Sequence, residues 1–323
     1  VTEPMRVHVA DTLDAAACER LAARVGDRVC FGPFDERTAV MVAGMPRPDQ
    51  LDAPALRALI IPYAGLLPPT RRALLEHRPG LDVYSLHHNA PAAAELALTL
   101  ALCTLRRVVP LDRALRQGDW RPRFGEPCRS TLAERRALVI GFGHIGSRLA
   151  TTLLALGLHV RATRRRQDVP AVDGGVELYP AAMLDELMRE SDLVFVCAPL
   201  TEETRGLLDA RRLASLPRNT IVINVSRAEL VDEDALYEAL VDGTLAGAGL
   251  DVWYAFPRDA EARANTAPAR RPFWELDNVV LSPHRAGLVD SALTAREADL
   301  QVALTQLAHD QVPRGRVDVA AGY

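Results

Sequence analysis

Two residues of this chain could handle a small anion and a proton by type and setting: Arg227 and His284. Arg227 closes the run Thr220-Ile221-Val222-Ile223-Asn224-Val225-Ser226-Arg227, an apolar strand that turns polar at its end. A guanidinium exposed there can grip a carboxylate through two parallel hydrogen bonds, although an isolated Arg in that place is usually a solvated surface charge. His284 stands in Ser282-Pro283-His284, directly after an apolar stretch. Its imidazole titrates near neutrality and can give or take a proton during a reaction, whereas a lone His is more often structural. His87, His88 and His144 keep that structural reading.

A third constellation could hold phosphate. The run Ala137-Leu138-Val139-Ile140 breaks into Gly141-Phe142-Gly143-His144-Ile145-Gly146 and resumes with helical spacing at Leu149, Leu153 and Leu154. This is a strand, a tight turn and a helix. Gly141 serves the turn, Gly143 leaves room for a pyrophosphate, and Gly146 lets the helix pack on the sheet, with the amides of its first turn facing the phosphates. His159-Val160-Arg161-Ala162-Thr163 reads as the next strand. An Asp or Glu at its end would hold the ribose 2′-hydroxyl of NAD. Here the strand runs into Thr163-Arg164-Arg165-Arg166, and cations suit a 2′-phosphate. The expected cofactor is NADP, with NAD as the second possibility.

Composition bounds the rest. With 49% hydrophobic and 25% charged residues over 323 positions, the chain has a globular profile and length for two domains. A net charge of −4 gives no reason to expect nucleic acid or an acidic membrane as partner. All 38 Lys and Arg residues are Arg, which removes any lysine-based mechanism. No apolar run approaches the roughly 20 residues that span a bilayer, and no basic segment with a long apolar core opens the chain, so a soluble cytoplasmic protein is expected. Cys18, Cys30, Cys103, Cys128 and Cys197 lack C-x-x-C spacing. They indicate neither a disulfide framework nor a zinc site, and no metal is expected.

The elements that must position these groups alternate. Strands are expected at Met5 to Ala10, Thr38 to Ala43, Leu59 to Pro62 and Leu81 to Leu86, with helices at Thr12 to Val25 and Arg71 to His77. Such alternation implies a parallel sheet covered on both faces. Pro91 to Arg107 reads as a long apolar helix, followed by an irregular polar stretch, Gln117 to Ser130, where the hinge is placed. Further strands are expected at Val176 to Tyr179, Leu193 to Cys197, Thr220 to Val225, Gly247 to Val252 and Asn278 to Leu281, and Arg258 to Arg271 is an unusually long loop.

Several of these blocks together resemble the D-isomer-specific 2-hydroxyacid dehydrogenases. They are His88-Asn89-Ala90 with Ala94-Glu95, Gly118-Asp119-Trp120, the glycine fingerprint, Ala198-Pro199-Leu200-Thr201 with Thr204, the run ending in Arg227, Gly249-Leu250-Asp251-Val252, and Ser282-Pro283-His284 with Ala286-Gly287. The resemblance implies an α/β chain of two Rossmann-like or flavodoxin-like domains with parallel sheets and a cleft between them. Residues 1–103 with 286–323 would form the substrate domain, including a C-terminal helix over Val289 to Gln311, and 104–285 the dinucleotide-binding domain. It implies that Arg227 binds a small anionic substrate and that His284 exchanges a proton with it. It places Gly141, Gly143, His144, Ile145, Gly146, Thr163, Arg164, Arg165, Ala198, Pro199, Thr204, Val225, Arg227, Asp251 and His284 around the cofactor, with Arg164 where the family has Asp. Tyr63, Ala64 and Gly65 match the family's substrate loop. A homodimer is implied, with residues near 100 to 130 at the interface.

One position departs. The family pattern D-V-x-x-x-E-P supplies a Glu that keeps the catalytic imidazole protonated, yet this chain reads Asp251-Val252-Trp253-Tyr254-Ala255-Phe256-Pro257. A phenyl ring cannot stabilise an imidazolium as a carboxylate does. Asp259, Glu261 and Glu275 are the nearest candidates to replace it. Three readings follow: a 2-oxoacid reductase with a replacement carboxylate, an oxidoreductase for an atypical substrate, or a catalytically weak cofactor-binding protein. Trp253 and Tyr254 read as core residues as readily as pocket residues.

Overall fold

A computed structural model of the chain describes residues 3–10, 13–125 and 131–323; Thr12, Cys128 and the end of the Gln117–Ser130 stretch lie outside them. The chain divides into two compact units, Val1–Asn89 with Leu288–Tyr323, and Ala90–Gly287.

The first unit is built on a parallel sheet of β1 (Met5–Val9), β2 (Val29–Phe31), β3 (Val40–Val42), β4 (Ala58–Ile61) and β5 (Asp82–Ser85), in the order β2-β1-β3-β4-β5. Every residue of β3 and β4 is buried, as a parallel sheet covered on both faces requires. Helices Ala15–Val25 and Ser291–Ala308 cover one face, where Leu21, Leu300 and Leu304 pack with Val7, Val42 and Ile60. Arg20 Nε joins these helices by donating to Glu297 at 3.2 Å. On the other face, helix Pro68–His77 sets Leu74 against Met41, Leu59 and Val83. The first helix starts at Ala15, later than expected, because the Asp14 carboxylate caps it by accepting from Ala17 N at 2.7 Å.

The second unit carries β6 (Arg136–Ile140), β7 (His159–Arg164), β8 (Ala171–Asp173), β9 (Val176–Pro180), β10 (Leu193–Val196), β11 (Ile221–Asn224), β12 (Gly247–Leu250) and β13 (Val279–Leu281). Their order is β13-β12-β11-β10-β6-β7-β9-β8, and all pair in parallel except the edge hairpin β8 with β9. From β6 the chain first builds outward through β7 and then returns to β10 on the other side. The switch point therefore lies between the carboxyl ends of β6 and β10, where open α/β sheets bind ligands. Helix Ala90–Leu105 packs whole in this unit, with the Thr104 hydroxyl donating to the Ala248 carbonyl at 3.3 Å. Gly249 permits that approach, since a Cβ there would lie 2.8 Å from Leu100 Cβ.

The long loop between β12 and β13 is tied down. The buried carboxylate of Glu233 accepts from Arg270 N at 2.6 Å and Arg271 N at 2.9 Å. Helix Val108–Arg116, not read from the sequence, has no buried residue and leaves Val108, Val109 and Leu115 exposed. Among the described residues no helix is long and apolar enough to cross a membrane, and no three His, Cys, Asp or Glu side chains gather as a metal site.

Candidate active site

The glycine turn leaves β6 at the switch point. Gly141 has φ +99°, and a Cβ there would meet Ala198 N at 2.7 Å, so the turn and the end of β10 touch through bare backbone. Gly146 has no room for a Cβ against the Gly141 carbonyl, which sets helix His144–Ala155 tightly on the turn. Gly143, at the helix N-cap, faces nothing within 4 Å. The tight positions serve packing, and the open one leaves the first-turn amides accessible to an anion. Ile145 is half-buried, and the His144 and Gly143 positions are exposed.

The neighbouring strand ends complete the rim. Thr163 is buried and its carbonyl accepts from Gly141 N and Phe142 N, both at 3.1 Å. Arg164, Arg165 and Arg166 follow it, all exposed, and among the described residues no carboxylate pairs with Arg164 or Arg166. After β10, Ala198 is buried and the Pro199 carbonyl accepts from the Thr204 hydroxyl at 2.7 Å, while Thr204 Oγ1 also accepts from Thr201 N at 2.7 Å. This knot fixes the Ala198-to-Thr204 segment beside the glycine turn.

Arg227 leaves the end of β11 in extended conformation, past buried Val225. Asn224 Nδ2 donates to the Arg227 carbonyl at 2.9 Å, Ser226 N donates back to Asn224 Oδ1 at 3.1 Å, and the Ser226 hydroxyl donates to the Ala198 carbonyl. The guanidinium donates to the Ser226 carbonyl at 2.7 Å. The block is a small hydrogen-bonded turn that presents Arg227. Asn224 and Ser226 are its supports; the sequence showed them as part of the block but not in that role.

His284 stands on the loop after β13 with φ +56°, a left-handed conformation that costs a non-glycine residue about 1–2 kcal/mol. Asp251, fully buried after β12, holds that loop. Its Oδ1 accepts from the Ser282 hydroxyl at 2.5 Å and from Arg285 N at 2.8 Å, and its Oδ2 from Ala286 N at 3.0 Å. Hydrogen bonds to a charged group contribute about 1.5–3 kcal/mol each, enough to offset the backbone cost. Trp253 Nε1 adds a bond to the Ser282 carbonyl at 2.8 Å, and Tyr254 donates to the Val231 carbonyl at 2.9 Å, so both are supporting residues.

The Phe256 ring lies 5.5 Å from the His284 ring, tilted by 54°. Partial desolvation of the imidazole, the positive charge of Arg227 and, in opposition, the negative charge of Asp251 leave the His284 pKa below its ordinary 6.5. None of the three candidate replacement carboxylates pairs with it. Asp259 accepts from Ala262 N at 2.8 Å in its own loop, and Glu261 and Glu275 are exposed. Among the described residues the imidazole has an aromatic neighbour and no carboxylate partner.

In the other unit Tyr63, Ala64 and Gly65 follow the carboxyl end of β4, and Gly65 has φ +91°. The Tyr63 ring lies so close over Gly44 that no Cβ fits there, and it packs on the core that contains Leu59 and Leu74. Its bulk is therefore accommodated by a glycine.

Comparison with known proteins accords with this geometry. The D-isomer specific 2-hydroxyacid dehydrogenase, NAD binding domain, matches residues 98–286, more than half of the chain. A glyoxylate reductase of Korarchaeum cryptofilum is 36% identical over 198 residues, covering 60% of this chain and 55% of the relative. A hydroxypyruvate reductase of Thermotoga maritima is 35% identical over 196 residues, covering 61% and 60%. The match thus spans less than two thirds of the length of these relatives. A D-isomer specific 2-hydroxyacid dehydrogenase from Xanthobacter autotrophicus Py2, solved in complex with NADPH and MES, superposes with a TM-score of 0.79 at 28% identity over the whole of both chains. From the fingerprint at the switch point to the strand ends that carry Arg227 and His284, this chain belongs to the D-isomer specific 2-hydroxyacid dehydrogenase family.

Proposed function

We propose that this chain is an NADP-linked oxidoreductase acting as a 2-oxoacid reductase, which moves hydride between nicotinamide and a small 2-oxo or 2-hydroxy acid. The observation that carries the reading is the placement of Arg227 and His284. Both follow the carboxyl ends of parallel strands, β11 and β13, in the sheet whose β6 carries the glycine fingerprint.

The residues fit a dinucleotide. Gly143 opens onto free space at a helix N-terminus, and the exposed Arg164, Arg165 and Arg166 suit a 2′-phosphate where an acidic residue would repel it. The neighbour from Xanthobacter is in complex with NADPH, which supports the same choice. Val225, Ala198, Pro199, Thr204 and Asp251 complete the proposed cofactor rim. When bound, the nicotinamide supplies or takes up the hydride. Arg227 would orient the substrate carboxylate, His284 would exchange a proton with the substrate oxygen, and Tyr63, Ala64 and Gly65 are assigned to substrate contact in the first, substrate-binding unit. A cytoplasmic homodimer that covers the exposed apolar residues of helix Val108–Arg116 belongs to the same proposal.

Phe256 favours a second reading, in which the substrate is atypical for the family, such as formate or an acid bearing phosphate or phosphonate, or in which catalysis is weak. The test is NADPH and NADH consumption with glyoxylate, hydroxypyruvate, other 2-oxoacids and phosphonate analogues, and NADP or NAD reduction with 2-hydroxyacids and formate. Turnover of a 2-oxoacid with NADPH preferred supports the main reading, and Arg164→Asp should then move preference toward NADH by about tenfold, or 1.4 kcal/mol. Turnover of formate or a phosphonate alone supports the second, and cofactor binding with no turnover would leave a binding protein.

A further inference from the structure

Where Phe256 brings no carboxylate, a different one, Asp251, engages the loop that bears the imidazole. Asp251 is fully buried and accepts three hydrogen bonds, all from the segment 282–286 that carries His284 at its centre. Two of the donors are the backbone amides directly after His284, so the carboxylate fixes the left-handed turn from which the imidazole projects. Ser282 closes the segment from the other end: its hydroxyl reaches Asp251, its carbonyl accepts from His284 N at 3.0 Å and from Trp253 Nε1 at 2.8 Å.

We propose that Asp251 is a positioning residue for His284: its buried carboxylate clamps the Ser282–Ala286 segment and keeps a negative charge beside the His284 loop, where Phe256 brings none. The proposal rests on the reading of His284 as the proton-handling residue. It assigns Asp251 a role separate from the cofactor contact expected for it, because both of its oxygens are engaged by this segment. The groups whose charge reaches the imidazole are Arg227, which opposes protonation, and Asp251, which favours it, while Phe256 packs against the ring without charge. Removing the Asp251 charge leaves Arg227 unopposed.

The experiment is an NMR titration of the His284 imidazole in the full chain without cofactor or substrate, with its signal identified by loss in His284→Gln. Amide hydrogen exchange at Arg285 and Ala286 is measured in parallel. In Asp251→Asn the imidazole should titrate at lower pH than in wild type, and the two amides should exchange about tenfold faster or more, as loss of a charge-assisted bond requires. Ser282→Ala keeps the charge and removes one bond, so it should speed amide exchange while shifting the titration less. It also keeps the proposal testable if Asp251→Asn does not fold. Unchanged titration and exchange in Asp251→Asn, or a Ser282→Ala protein indistinguishable from wild type in both measurements, would overturn the clamp. Neither readout needs turnover, so an inactive enzyme would refute the proposed function without deciding this one.

Discussion

The chemistry of this chain turns on what surrounds one imidazole. In a reductase the imidazole must carry a proton to give it, and His284 holds that proton less readily than a free histidine because desolvation and Arg227 disfavour the charged form. The sign follows directly. With the pKa lowered from 6.5, the protonated fraction shrinks as pH rises through and above that lowered value, so reduction of a 2-oxoacid should weaken toward neutral and alkaline pH, while oxidation of a 2-hydroxyacid, which needs the neutral ring, should suffer less. Phe256→Glu should extend reduction upward by about one pH unit or more, since a carboxylate beside a cation shifts titration by that order. Steady-state rates across pH check this. The departure at Phe256 was legible as a residue, because the D-V-x-x-x-E-P pattern fixes its position. The hold of Asp251 on the His284 loop was not, because two of its donors are backbone amides whose direction depends on a left-handed turn that no side-chain pattern announces.

Among the elements, the ones that place the site were readable where apolar runs are continuous. Strands β6, β10 and β11 are fully or almost fully buried and stand out from their polar ends. The three-residue strands β2 and β8 are too short for a period to emerge, and β8 is exposed throughout. Helix Val108–Arg116 carries Pro110 in its first turn, a residue that reads as a helix breaker unless the helix start just before it is known. The fingerprint glycines allow the packing and binding roles to be separated. Gly143→Ala should fold with stability near wild type, because φ is −100° and nothing lies within 4 Å of a Cβ there, but should weaken NADPH binding by about tenfold or more, or 1.4 kcal/mol. Gly141→Ala should instead lose stability by about 1–3 kcal/mol, being set at φ +99° against the Ala198 backbone. Thermal unfolding and cofactor titration of the two variants distinguish the roles, and a Gly143→Ala protein that binds NADPH as well as wild type would contradict the phosphate assignment.

For the whole molecule, the two units each have a sheet of their own, and the second contains every residue assigned to proton transfer and carboxylate recognition. The alternation of strand and helix makes that class readable, whereas the seat of helix Ala90–Leu105 on β12 is not, because it depends on Gly247 and Gly249, where a Cβ would lie 2.7 Å from Thr104 and 2.8 Å from Leu100. Val108, Val109, Leu115, Trp120 and Phe124 form an exposed apolar stretch in the segment where a dimer contact is proposed. Leu115→Glu should therefore convert dimer to monomer in light scattering without altering the fold seen by circular dichroism; a wild-type monomer would refute the assembly. The central claim, that Arg227 binds the carboxylate of a substrate reduced at this site, is tested most directly by measuring 2-oxoacid turnover and NADPH affinity side by side in Arg227→Ala. Turnover reduced by about a hundredfold or more, the loss of a bidentate ion pair of about 2.7 kcal/mol, with NADPH affinity retained is the predicted result. Turnover equal to wild type would contradict the account.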